Sequence, residues 1–116
     1  MNQHNITDLT FLKKFAHEDE GKMKKYIGMY MDHTPTMLAE MKTCLASGSY
    51  GQLKTTAHSI SPQFHYMGMD EARKFALQIE DCCTNGEECI GKLAGMLKEL
   101  EAICEQSFIE LKIVLA

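Results

Sequence analysis

The chain has no tryptophan, only two prolines and no long uninterrupted apolar run. Its apolar stretches are short and broken by charge, far below the ~20 residues that a membrane-spanning helix needs, so no membrane span is expected. An excess of basic charge is also missing: 12 Lys plus Arg stand against 16 Asp plus Glu, a net charge of −4. No global positive surface is available for nucleic acid, and nucleic-acid binding is not expected. Sustained alternation of β-branched and aromatic residues is absent as well, which argues against sheets. The N-terminus carries no signal-like apolar segment, and an odd set of five cysteines (Cys44, Cys82, Cys83, Cys89, Cys104) fits a reducing cytoplasm better than a disulfide framework.

What is present is helical periodicity. With 116 residues and 45% hydrophobic content, residues 1–116 are expected to form one domain with a real core. Thr7 or Asp8 caps a short first helix carrying Leu9, Leu12, Phe15 and Ala16. A second helix runs from about Asp19 to Ser47 with Gly48 as its stop, and Pro35 predicts a kink or break near His33 and Thr34. Ser49 and Gln52 have the spacing of a capping box for a third helix ending at Gly68. Asp70 is the expected cap of a fourth, which buries Ala72, Phe75, Ala76, Ile79 and Cys82 or Cys83. After the Thr84-Asn85-Gly86 turn, a last helix beginning at Glu87 and Glu88 turns Ile90, Leu93, Leu97, Leu100, Cys104, Phe108, Leu111 and Leu115 inward. Four long helices joined by short turns predict an all-α antiparallel four-helix bundle with a short N-terminal capping helix.

The third helix holds the candidate for chemistry. With Leu53 at zero and about 100° per residue, Ala57, Ile60, Phe64 and Met67 fall within roughly 40° of it, whereas His58 lies about 140° away. A core histidine would sit inside the apolar stripe; His58 should face solvent. Lys54, Ser61 and His65 lie within about 60° of it, and Gly51, Thr55 and Pro62 extend the same face. Pro62 follows His58 by four residues and cannot donate the helical hydrogen bond to the His58 carbonyl, a cost of up to ~3 kcal/mol.

The run Ala57-His58-Ser59-Ile60-Ser61-Pro62-Gln63, followed by Gly68, resembles the histidine-containing phosphotransfer (HPt) domains of two-component phosphorelays. Their pattern is Ala-His-x-Leu-Lys-Gly-Ser and, some residues later, a glycine. Tyr30 to Leu38 is similar to the family's kinked second helix, and Gly48 to Tyr50 to its turn before the histidine helix. The resemblance implies a phosphocarrier rather than an autonomous enzyme. His58 would accept a phosphoryl group from the aspartyl phosphate of a response-regulator receiver domain and pass it to another receiver. The implied partners are that receiver and a hybrid histidine kinase. The chain itself needs no cofactor, since Mg²⁺ is expected on the receiver, and it is expected to act as a monomer. Lys54, Ser61 and Gln63 are the candidate supporting groups, and Gly51, Thr55, Pro62 and His65 the candidate docking residues. One departure stands out: the family's lysine three residues after the histidine is Ser61 here, with Lys54, Arg73 or Lys74 as possible substitutes.

Two other readings stay open. The domain could bind a receiver or kinase as an adaptor without phosphorylation, or it could be a metal-binding bundle. The latter has little in its favour, because His4, His17 and His33 lack partners at ligand spacing and Cys82, Cys83 and Cys89 do not form paired Cys-x-x-Cys motifs. The cysteines read as packing residues. Met23, Met29, Met31, Met37 and Met41 read as core filling, in part as an adaptable contact surface.

Overall fold

A computed structural model describes residues 6–116, so His4 lies outside the described residues. Six helices follow one another: α1 (Thr10–Phe15), α2 (Glu20–Ser47), α3 (Tyr50–Tyr66), α4 (Asp70–Cys82), α5 (Glu87–Ile90) and α6 (Leu93–Leu115). Among the described residues there is no strand. α3 packs on α2 and α4, and α6 closes the ring against the other faces of α2 and α4. The expected four-helix bundle with a short capping helix is therefore the observed architecture. No helix among the described residues is long and apolar enough to cross a membrane.

The apolar stripes read from the sequence meet in one core cluster, with Ile27, Tyr30, Leu38 and Met41 from α2, Leu53, Ala57, Ile60 and Phe64 from α3, Ala72, Ala76 and Ile79 from α4, and Leu93, Leu97, Leu100, Cys104 and Leu111 from α6. Tyr30 has its hydroxyl in this core, 2.8 Å from Ser107 Oγ. Ser107 donates to the Cys104 carbonyl at 2.6 Å, the Tyr30 hydroxyl also lies 3.3 Å from Met69 Sδ, and burial pushes the phenol up from its ordinary value. Of the α2 methionines, Met41 is fully buried while Met29 is 43% exposed.

Several local expectations are corrected. Of the kink or break expected near His33 and Thr34, the break does not occur, since α2 runs through Pro35 as one helix; Tyr30, Thr34 and Leu38 on either side are buried, and that burial outweighs the lost backbone bond. The α2 start is capped by Asp19, whose side chain accepts from the Lys22 N–H at 3.0 Å, and its end is the left-handed Gly48 at φ 73°. Ser49 makes no capping bond to α3; its hydroxyl pairs with Ser47 Oγ at 2.9 Å. Asp70 is the first residue of α4, with Met69 in the cap position. The last helix does not start at Glu87: the chain makes the single turn α5, bends at Gly91 and Lys92, and only then enters α6. Cys82 and Cys89 are not separate packing residues but a disulfide, S–S 2.07 Å, which folds α5 back onto the end of α4. Cys44, Cys83 and Cys104 are free.

The segment before α1 is laid across the α3–α4 turn. Asp8 N–H donates to the Met67 carbonyl at 3.0 Å. Beside it Gly68 has φ 66°, and a β-carbon there would collide with the Asp8 carbonyl. Glu110 of α6 fixes the same segment from the other side: its carboxylate accepts from the Ile6 and Thr7 N–H groups, both at 2.9 Å, and from the Thr7 hydroxyl at 2.7 Å. α1 then covers one end of the α2–α3 pair, burying Leu12 and Ala16 and setting Phe15 against Tyr26 and Tyr66 at 5.5 and 5.1 Å between ring centroids.

Candidate functional site

α3 buries Leu53, Ala57, Ile60 and Phe64 and so turns the opposite face outward. On that face Gly51, Thr55, His58, Pro62 and His65 are all exposed, a continuous strip at spacings of three and four residues. The His58 side chain is 71% exposed, as the helical count required. Among the described residues its partner atoms come from α4: Nδ1 lies 3.1 and 3.2 Å from the two carboxylate oxygens of Glu80. Glu80 itself is 23% exposed. An ionised carboxylate can only accept, so the pair is made with a proton on Nδ1, and in the neutral ring that arrangement leaves the lone pair on Nε2.

Glu80 was not among the residues picked from the sequence. Arg73 and Lys74 were weighed on that helix, but Lys74 stands 4.0 Å from Glu71 on its own helix, and the group that reaches His58 is an anion. A usable signal existed. α3 and α4 are antiparallel about the turn at Gly68, His58 lies ten residues before it and Glu80 twelve after it, so the two fall at similar heights in the bundle.

The supporting residues separate. Lys54 is partly buried one turn before His58, close enough to Cys83 that its charge lowers that thiol's titration, although burial, the larger effect, raises it. Ser61 is not on the open face: it is 6% exposed, because α4 packs on the flank of α3 that carries Lys54, His58 and Ser61. Its hydroxyl donates to the His58 carbonyl at 3.0 Å. That carbonyl is the one Pro62 leaves without its helical N–H, so Ser61 makes good the bond that the proline removes. Gln63 faces α2 instead of His58, with its oxygen 3.5 Å from Thr34 Oγ1 and its Nε2 3.3 Å from Met37 Sδ. The hydroxyls of Thr55 and Ser59 are likewise bonded to carbonyls of their own helix, Gly51 and Thr55, at 3.1 and 3.0 Å. His65 lies tilted at 53° against Phe11 of α1 with ring centroids 4.5 Å apart, next to an apolar cleft of about 230 Å³ lined by Phe15, Tyr26, Met29, His33, Tyr66 and neighbours.

A bundle with an outward histidine on its second long helix is what the motif around residues 57–68 implied, and a family model decides the matter: one described as Hpt domain matches residues 25–107. This chain belongs to the Hpt domain family. The matched span takes in most of α2, all of α3, α4 and α5, and α6 as far as Ser107. No curated protein and no solved structure matches the chain. Membership gives this Hpt domain a phosphotransfer role in two-component signalling. Among the described residues no three His, Cys, Asp or Glu side chains gather as a metal site would require.

Proposed function

We propose that this Hpt domain is a phosphocarrier in which His58 accepts the phosphoryl group from the aspartyl phosphate of a receiver domain and returns it to another. The observation that carries the reading is the His58 imidazole itself, 71% exposed on a helix whose other face is locked into the core. A neutral ring nitrogen is nucleophilic near neutral pH, and in-line transfer asks mainly for positioning and charge neutralisation. The receiver supplies the aspartate and the Mg²⁺. Gly51, Thr55, Pro62 and His65 form the surface beside the histidine on which the receiver rests, and a hybrid histidine kinase is the upstream partner.

The test is incubation with phosphorylated receiver domains of the source organism. Acid-labile phosphate should move onto the protein, and His58→Gln should abolish it; uptake that survives the substitution refutes the assignment. Ser61 favours a second reading. With no lysine in that place and the hydroxyl committed to the His58 carbonyl, the domain could act as an adaptor that binds a receiver without accepting phosphate. Receiver binding unchanged by His58→Ala, with no phosphohistidine formed under turnover, would establish the adaptor instead.

A further inference from the structure

The outer face of the last helix is apolar where water should favour a polar one. α6 buries Leu97, Leu100, Cys104 and Leu111 where it packs on α2 and α4, and the opposite face of such a helix is ordinarily charged or polar. Here it carries Ile113 and Ile109, 73% and 58% exposed, the two most exposed large apolar side chains among the described residues. With Ala102 and Gln106, also exposed, they stand at successive spacings of four, three and four residues. That is the spacing of a coiled-coil seam. Gln106 donates to Glu110 of its own helix at 3.2 Å, so its amide already has an acceptor when the seam is covered.

The charges beside the seam say what fits it. Glu105 and Lys112, both exposed and seven residues apart, flank it on one side. When two helices meet antiparallel about a two-fold axis, each such flanking residue faces its counterpart across the seam. One register sets Gln106 against the partner's Ile109 and Ala102 against the partner's Ile113. The same register brings Glu105 to the partner's Lys112 and, by symmetry, Lys112 to the partner's Glu105. A shift of one heptad either way opposes two lysines or two glutamates instead, and a parallel pair brings Glu105 towards the partner's Glu110. Unlike charges are thus matched in one arrangement, and what matches this helix is a second copy of itself.

We propose that two copies of this Hpt domain associate through the outer faces of their α6 helices, antiparallel, with Ile109 and Ile113 in the seam and Glu105 paired with the partner's Lys112. α3 and α6 stand across the ring from each other, each packed on α2 and α4, so both His58 strips stay open in the dimer. Contact along one helix face belongs to the small, transient class of interfaces, below about 1,200 Å² of total buried surface. The monomer expected from the sequence is then the dilute form of the chain. Sedimentation equilibrium of the whole chain from about 10 µM to about 1 mM tests this, and the average mass should rise from one copy towards two. Ile109→Glu/Ile113→Glu should stay at one copy throughout. Lys112→Glu and Glu105→Lys should each weaken association at least about ten-fold by setting like charges together, and the exchange Glu105→Lys/Lys112→Glu should recover the wild-type constant. All four positions are exposed, and urea unfolding checks that each variant keeps its fold. A wild type still at one copy at about 1 mM overturns the proposal. Dimer mass retained by Ile109→Glu/Ile113→Glu overturns the location, and a double exchange no tighter than the single ones overturns the antiparallel register. None of these measurements depends on phosphotransfer, so they stand apart from the carrier reading.

Discussion

Replacing Ser61 by alanine tests whether a side chain stands in for the backbone bond that Pro62 forbids. The hydroxyl donates to the His58 carbonyl at 3.0 Å from a residue only 6% exposed. Loss of a neutral hydrogen bond costs about 1 kcal/mol, and a carbonyl stranded away from water costs about 1–3 kcal/mol. His58 is itself exposed, and water can reach part of its carbonyl, so the lower end applies: about 1 kcal/mol, or a fall in Tm of about 5 °C for a domain of this size. The decisive comparison is in the Pro62→Ala background, where residue 62 regains an N–H and can bond the same carbonyl. There the serine becomes redundant, and Ser61→Ala should cost only a few tenths of a kcal/mol, giving a coupling energy of about 0.5–1 kcal/mol in the double-mutant cycle. Urea unfolding followed by circular dichroism measures all four proteins. Equal cost in both backgrounds would refute the compensation, whatever the size of the single-mutant effect.

Restoring the family's lysine by Ser61→Lys should not improve the protein: the site lies under α4, and forcing a long cationic chain into it should destabilise by about 1–3 kcal/mol, seen as a lower urea midpoint. At Glu110, burial raises the carboxyl's titration, but the donors from Ile6, Thr7 and Gln106 together outweigh it and hold the group below its ordinary value of 4.5. A depressed carboxyl stabilises the fold above that ordinary value and loses its contribution as pH falls through the folded one. The stability gap between wild type and Glu110→Gln, measured by urea unfolding, should therefore be widest at neutral pH and close on the acid side of 4.5. The Cys82–Cys89 disulfide spans a separation of seven residues, a short loop whose closure is worth about 2.5 kcal/mol in the chain-entropy account. Added reductant should lower Tm by about 10 °C and leave a Cys82→Ala/Cys89→Ala double variant unmoved; an unchanged wild-type Tm would argue that the bond contributes nothing.

The sequence made the histidine legible because a 3.6-residue period separates buried from exposed positions on an isolated helix: Leu53, Ala57, Ile60 and Phe64 against His58. The same count placed Ser61 beside His58 and could not see that α4 would cover that edge, since which flank receives a neighbour is a tertiary property. Glu80 escaped for a related reason: its link to His58 crosses 22 positions and depends on the register between two helices. Ser49 and Asp70 were read as caps from residue type and spacing, but a cap is a geometry of the entering chain, and neither side chain makes the bond. The Cys82–Cys89 link was passed over because an odd set of five cysteines fitted a reducing setting; what brings the two thiols together is the turn between α4 and α5, a matter of backbone geometry and not of cysteine count.

The clamp at Glu110 orders the assembly of the molecule in time. The groups it receives lie 103 and 104 positions earlier in the chain, so residues 6 and 7 leave the ribosome long before their acceptor does. Until α6 docks, those amides have no carboxylate to meet, and closing so long a loop becomes favourable only once the helices between have brought its ends together. The amides of residues 6 and 7 are thus made long before the carboxylate that clamps them, and the clamp closes only with α6 in place.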